Sequence, residues 1–228
     1  MSVEAIIIAR GGSKGIPGKN LIDFCGKPLI TWTIDQCLSS DLLDRVWVSS
    51  DDERILKVAE DSGSEVILRP DKFSDDIATS ESAWIHAVDE LKNKNILPEL
   101  VVAPQVTSPL RESSDIDRAI KKFNEGTYDS MFSSCLAEDL FFWQESKEGI
   151  LESVNYDYKK RIRRQDITNK YIENGSFYLF TPDSLRKHVN RFGENIGLIE
   201  MEFWKMFEID SMEDCRMCSA LMKEYLIK

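Results

Sequence analysis

Apolar residues recur along the chain in short β-branched runs that alternate with segments of helical spacing. Glu4–Ala9 is such a run, ending at Arg10-Gly11-Gly12, and reads as a buried strand feeding a glycine-rich loop. A helix is expected around Pro28–Leu38 and a second strand at Arg45–Ser49. Asp51-Asp52-Glu53 then opens a helix to about Asp61, acidic where the macrodipole favours acid, and Glu65–Leu68 is the third strand. Thr79–Lys92 carries Ala83, Ala87, Val88 and Leu91 at helical spacing. A strand at Leu100–Ala103, a helix near Ser114–Phe123 and a strand near Asp129–Ser133 follow. From about Ala137 to Tyr171 the alternation breaks into a polar, aromatic and basic stretch, which predicts an inserted hairpin or flap. Ser176–Phe180 resumes as a strand and Ser211–Leu226 closes as a helix.

Strands alternating with helices predict an α/β fold with a mostly parallel sheet covered on both faces. Ligands of such sheets bind outside the carboxyl ends of the strands, so the informative loops are those after strands one, two and four. With 228 residues, no repeat and no Gly/Ser- or Pro-rich linker, one domain over 1–228 is expected.

Charge narrows the partners. Lys and Arg number 29 against 40 Asp and Glu, a net −11 that repels nucleic acid and anionic lipid. An anionic ligand must therefore meet a local basic patch. Met1-Ser2-Val3-Glu4 lacks a basic leader, Ala5–Ala9 is too short for a signal core, and no apolar run reaches about 18 residues. A cytoplasmic protein with no membrane and no nucleic-acid partner is expected. Five cysteines is an odd count and argues for reduced thiols. Cys215 and Cys218 form a CxxC without a second ligand pair, so packing is expected ahead of a metal or redox role.

The sharpest local signal is Arg10-Gly11-Gly12-Ser13-Lys14-Gly15-Ile16-Pro17-Gly18-Lys19-Asn20, with four glycines and three cations directly after a strand. Glycines admit backbone N–H groups to an anion, and Arg and Lys neutralise a polyphosphate. The match to a Walker A loop fails at Ser13 and Asn20, and Pro17 with three-and-three glycine spacing spoils the dinucleotide fingerprint. The plainer alternative is a turn with solvated cations. A second cluster, Lys159-Lys160-Arg161-Ile162-Arg163-Arg164-Gln165, places five cations in six positions and reads as an anion site or as a solvated face. Gln105-Val106-Thr107-Ser108-Pro109-Leu110-Arg111 follows the fourth strand and offers polar groups for a base or sugar, though a Ser-Pro turn explains it equally well. Glu208-Ile209-Asp210 puts two carboxylates on one side of an extended segment, a donor pair for Mg²⁺ or a pair of helix-initiating acids. His86 and His188 read as structural, and Phe141, Phe142 and Trp143 as a packing or subunit contact.

Ala9–Asn20, Arg69-Pro70, Ser80, Gln105–Arg111, Arg163-Arg164-Gln165-Asp166, Glu173-Asn174-Gly175-Ser176-Phe177-Tyr178 and Glu208-Ile209-Asp210 together resemble the CMP-sialic acid synthetases, or acylneuraminate cytidylyltransferases, in order and spacing along nearly the whole chain. The resemblance implies a three-layer α/β nucleotidyltransferase fold, Rossmann-like and of the GT-A kind, with a small dimerisation insertion at about 137–171 and a homodimer. It implies that the anomeric hydroxyl of a nonulosonic acid attacks the α-phosphate of CTP, giving CMP-sugar and pyrophosphate, with Mg²⁺ neutralising the triphosphate. Carried over by position, Arg10, Lys14 and Lys19 would be catalytic, and Gly11, Gly12, Ser13, Asn20, Arg69 and Ser80 would hold the nucleotide. Gln105, Thr107, Ser108, Arg164, Gln165, Asn174 and Tyr178 would serve the sugar acid, Arg164 and Gln165 from either subunit, and Glu208 and Asp210 would hold the metal. Three positions depart from the usual pattern. Glu208 replaces a frequent Asp, Val106 a frequent Pro or Ala, and Gly18 a bulkier apolar residue, which is expected to loosen the loop by about 0.5–1 kcal/mol. Alternatives are a sister enzyme for legionaminic, pseudaminic or 3-deoxy-manno-octulosonic acid, a non-catalytic nucleotide-binding module, and a nucleotide-sugar glycosyltransferase.

Overall fold

The computed structural model describes residues 1–13, 15–75, 77–137, 140–161, 163 and 169–227. Lys14, Arg164 and Gln165, singled out above, lie outside the described residues.

The first strand, β1 (Val3–Ile8), is buried at nearly every position. It leads through the glycine-rich loop and a small hairpin, β2 (Asp23–Phe24) with β3 (Lys27–Pro28), into α1 (Leu29–Leu38). Next come β4 (Arg45–Ser50), α2 (Glu53–Asp61), β5 (Glu65–Leu68), α3 (Ser80–Asn93), β6 (Leu100–Pro104), α4 (Ser113–Glu125) and β7 (Ser130–Leu136). After β7 a hairpin of β8 (Trp143–Glu145) and β9 (Leu151–Ser153) stands apart from the main sheet, before β10 (Tyr171–Phe180), α5 (Pro182–His188), β11 (Ile196–Met201) and α6 (Met212–Tyr225). The helix starts follow local chemistry. Asp52 accepts the Arg54 N–H at the start of α2, and Glu112/Asp115 and Ser211/Asp214 form reciprocal capping boxes at α4 and α6.

Seven strands form one sheet in the order β11-β7-β10-β6-β1-β4-β5. All its pairings are parallel except the two made by β10. Alternation sorts the side chains. Ala5 and Ile7 of β1, and Phe177 and Leu179 of β10, join a core with α1, α2, α4 and α6 on one face. Ile6, Tyr178 and Phe180 join a second core with Trp84 of α3 and Leu185 of α5 on the other. Three layers result, as the resemblance implied.

Four elements escaped the pattern: the short strands β2 and β3, the edge strand β11 and the short helix α5. The edge strand β11 pairs with β7 over Ile196–Met201, but Gly197 and Glu200 break its apolar run. The short helix α5 is set by Pro182 behind the Thr181 cap rather than by periodicity. The strand expected at Ser176 begins five residues earlier, at Tyr171, with a register shift between Glu173 and Tyr178. Cys215 and Cys218 are buried against the first core, where burial pushes the Cys218 thiol up to about 12. Among the described residues no helix is long and apolar enough to cross a membrane.

Candidate active site

At the carboxyl ends of β1 and β6 a cavity of about 540 Å³ opens, lined by Arg10, Ser13, Lys19, Asn20, Arg69, Ser80, Gln105, Thr107 and Asp210 among others. These nine residues, spread over two hundred positions of sequence, are nine of those picked from the sequence alone.

The glycine-rich loop is clasped at both ends. Asn20 donates from Nδ2 to the Arg10 carbonyl at 2.9 Å, and the Gly11 N–H donates to Asp51 Oδ1 at 3.1 Å. Gly18 has φ +64° and initiates a short 3-10 turn over Lys19–Leu21. Here the expectation of a loosened loop is corrected: in the left-handed region a bulkier residue would be strained, so glycine builds the turn that aims Lys19. Lys19 Nζ donates to the Ile209 carbonyl at 2.9 Å and to Asp210 Oδ1 at 2.8 Å. A cation from the first loop and a carboxylate from just before the last helix thus meet at the cavity.

The opposite wall is built from the segment after β5 and from α3. Arg69 is almost fully buried, donating from Nε to Ser74 Oγ at 2.8 Å, with Asp51 3.7 Å away. Burial lowers the pKa of Arg69, the Asp51 charge raises it and the neighbouring Arg10 charge lowers it again. Its Nη1 has no hydrogen-bond partner among the described residues. Thr79 caps α3, and Thr79 and Ser80 face the cavity, so the positive end of a 14-residue helix joins the two arginines and Lys19 on its walls.

The carboxylate pair sits where the chain approaches itself closely. The Ile209 N–H donates to the Thr107 carbonyl at 2.7 Å, pinning the segment to the loop after β6. Gly15 abuts the other side: an ideal Cβ there would lie 2.7 Å from the Asp210 carbonyl oxygen. Glu208 remains exposed as a residue, yet crowding around its carboxylate, followed by the charge of Asp210, raises its pKa while Lys19 lowers it.

Other picks are spoken for inside the protein. Gln105 and Thr107 line the cavity, whereas Ser108, Asn174 and Tyr178 do not. Ser108 donates to the Gly175 carbonyl at 3.2 Å. The Asn174 amide accepts from Ser133 Oγ at 2.6 Å and donates to the Lys205 carbonyl at 3.2 Å. The Tyr178 hydroxyl donates to Glu173, and its ring lies under the Arg191 guanidinium at 4.5 Å. In this arrangement the three fix loops and strands around the site. Beneath them, Arg111 is buried, donating from Nε to Ser176 Oγ at 2.9 Å and from Nη2 to the carbonyls of Gln105 and Ser108.

Sequence reasoning did not pick Asp51, Trp84 or the Phe73–Asp75 turn. Position held the signal for Asp51, which directly follows the second strand of a sheet whose ligands gather at that edge. His86 packs its ring 4.9 Å from Phe73, and burial lowers its pKa. The hairpin aromatics pack on their own neighbours, Phe141 on Tyr156 at 4.5 Å and Trp143 on Tyr158 at 5.2 Å, while Phe142 stays 53% exposed.

Known proteins share this architecture. The profile described as "Cytidylyltransferase" matches residues 4–226. A pseudaminic acid cytidylyltransferase of Campylobacter jejuni subsp. jejuni serotype O:23/36 (strain 81-176) is 32% identical over 223 residues, covering 96% of this chain and 95% of that protein. An N-acylneuraminate cytidylyltransferase of Oncorhynchus mykiss is 35% identical over 188 residues, covering 81% of this chain and 42% of that longer protein. In three dimensions a CMP:2-keto-3-deoxy-manno-octonic acid synthetase solved with CTP superposes with a TM-score of 0.75 at 15% identity, over 99% of this chain and 100% of its own, which is a likeness of fold. With the family profile matched almost end to end and a bacterial relative paired along 95% of its length, the chain belongs to the cytidylyltransferase family.

Proposed function

We propose that this cytidylyltransferase activates a nonulosonic acid: the anomeric hydroxyl oxygen forms a bond to the α-phosphorus of CTP as its proton passes to solvent, the α–β phosphoanhydride bond breaks, and pyrophosphate leaves. One observation supports this above others. In a protein of net charge −11, Arg10, Lys19, Arg69 and the α3 N-terminus converge on one cavity that Asp210 also lines. Such walls suit a polyanion whose transfer depends on positioning and charge stabilisation.

Arg10 and Lys19 would bind the triphosphate and oppose the charge that builds on departing pyrophosphate, with Lys14 alongside. Gly11, Gly12 and Ser13 present backbone to the phosphates, Asn20 holds the loop, and Arg69 and Ser80 serve the nucleoside side. Gln105 and Thr107 meet the acid, with Arg164 and Gln165 as its further partners and Ser108, Asn174 and Tyr178 shaping that wall.

Two adjacent oxygen donors of like charge, one with a raised pKa, fit a hard divalent cation that takes one or two carboxylates plus phosphate oxygens and water. Glu208 and Asp210 would hold Mg²⁺, which supplies neutralisation of the triphosphate. Lys19, paired with Asp210 in this structure, is positioned to turn to phosphate. The exposed Phe142, Trp143 and Leu151 of the β8–β9 hairpin support a homodimer joined through that insertion, which light scattering of the full chain checks. The reading places the enzyme in the cytoplasm, where CTP is found.

Pyrophosphate release from CTP is to be measured with N-acetylneuraminic, pseudaminic, legionaminic and 3-deoxy-manno-octulosonic acids, each with and without EDTA. Release with one acid, abolished by EDTA, is expected. Lys19→Ala should lower turnover about 10²–10³-fold, the cost of one transition-state donor. No release with any of the acids from a folded protein that binds CTP would favour a binding module.

A further inference from the structure

We infer that Asp51 is a positioning residue for the nucleotide, an acid that strengthens the binding of a polyanion. This rests on the proposal that CTP occupies the cavity.

Asp51 follows β4 at the sheet edge where the cavity opens, and its side chain is 22% exposed. One oxygen, Oδ1, serves two segments. It accepts the N–H of Gly11 at 3.1 Å, and it lies 3.7 Å from Nη2 of the buried Arg69. Gly11 is the first glycine of the phosphate-facing loop, and Arg69 stands on the opposite wall. The contact with Gly11 is tight: an ideal Cβ on Gly11 would fall 2.8 Å from Oδ2 of the adjoining Asp52. The two acids after β4 therefore seat the start of the loop.

Charge gives Asp51 a second task. Arg10 and Arg69 repel one another across the cavity, and burial further penalises the Arg69 cation. Asp51 is the acid that opposes both effects on Arg69. Holding the buried Arg69 cation ready for an anion requires a counter-charge that orients it without neutralising the site. Asp51 meets that need from behind the loop, while Ser74 fixes the Nε edge of Arg69 and Nη1 has no hydrogen-bond partner among the described residues.

Simple charge counting and the positioning reading predict opposite signs. By charge alone, removing an acid beside a triphosphate site tightens CTP binding. By positioning, it weakens binding, because the Gly11 N–H and the Arg69 guanidinium lose their alignment. Losing a hydrogen bond to a charged group corresponds to about 10- to 150-fold in an equilibrium constant.

The experiment measures CTP affinity by calorimetry for wild type, Asp51→Ala and Asp51→Asn, together with Tm and the KM of each substrate. For Asp51→Ala, CTP affinity is expected to fall about 10-fold or more, with the KM of the acid unchanged. Asp51→Asn keeps an oxygen for the Gly11 N–H and loses only the charge, so its loss should be intermediate. Should Asp51→Ala not fold, the near-isosteric Asp51→Asn still carries the test. CTP affinity equal to or tighter than wild type in a folded variant overturns the inference. So does an equal loss toward both substrates with a lowered Tm, which marks general destabilisation. Wild-type protein that does not bind CTP overturns the proposed function as well, and so separates the two failures.

Discussion

Within the glycine-rich loop, Gly15→Ala tests the close approach of the loop to the carboxylate segment. A Cβ at Gly15 would stand 2.7 Å from the Asp210 carbonyl oxygen, where ordinary contact begins at 3.4 Å. Both partners are backbone, so no side chain can swing away, and the segments must part by roughly 0.7 Å, the gap between those two distances. A shift of that size carries the 2.8 Å Lys19–Asp210 contact beyond hydrogen-bond length. Misplacement near 1 Å costs about 10²-fold in rate, and overpacking costs about 1–3 kcal/mol, or roughly 2–12 °C in Tm for a domain of this size. The assay is steady-state pyrophosphate release at saturating CTP, acid and Mg²⁺, beside thermal unfolding. Two neighbours serve as controls. A Cβ at Gly12 meets no protein atom within 4 Å, so Gly12→Ala should leave Tm near wild type, and it serves as the stability control. A Cβ at Gly18 likewise meets nothing within 4 Å, but φ is +64°, so Gly18→Ala should cost about 1–2 kcal/mol of stability by conformation alone. Wild-type turnover in Gly15→Ala, with a Tm equal to that of Gly12→Ala, would refute the reasoning.

Other substitutions probe the surroundings. Folding raises the Glu208 pKa above its ordinary 4.5, so this group favours the folded state most below the usual Glu range, and that contribution is lost as pH rises through the raised value. Glu208→Gln should therefore be at least as stable as wild type at neutral pH by calorimetry, while metal-dependent turnover collapses. For the same reason, wild-type Mg²⁺ affinity should weaken on acidification before the pH reaches 4.5. Lys205 is buried and held by Glu112, Asp115 and Glu202 at 2.8–2.9 Å, so Lys205→Met should cost about 3–5 kcal/mol in denaturant unfolding by stranding the buried Asp115. Burial pushes the Cys37 thiol up to about 12 and Cys135 up to about 11, whereas Cys25 is partly exposed. A thiol reagent followed by peptide mapping should label Cys25 first and leave Cys37 and Cys135 until unfolding.

Much of the fold was legible because it is written in contiguous runs. The β-branched segment at Glu4–Ala9 and the helical spacing after Thr79 carry their structure locally. The edge strand β11 was not legible, since an edge tolerates Gly197 and Glu200 that a central strand would not. At the site, the residues of the glycine-rich loop could be picked because glycine and cations sit side by side in sequence. Asn174 was picked too, but not the use of its amide, which is bonded to Ser133, 41 positions away, and to Lys205, 31 positions away. Asp51 was missed for the reverse reason. An acid placed beside an anion site looks unhelpful until the Gly11 N–H and Arg69 are seen to share its oxygen.

The reversed direction of β10 has a consequence for how such enzymes can diversify. Antiparallel to both β6 and β7, it begins at the edge where they end. The chain between β7 and β10 therefore leaves and re-enters the sheet on the ligand side, with its mouth closed by the Ala137 N–H donating to the Lys170 carbonyl at 2.8 Å. A loop closed in this way gains or loses residues at little entropic cost, about 0.6 kcal/mol per doubling of length. The fold thus offers an insertion at the carboxyl edge of the sheet whose length and sequence can change without disturbing the strand order.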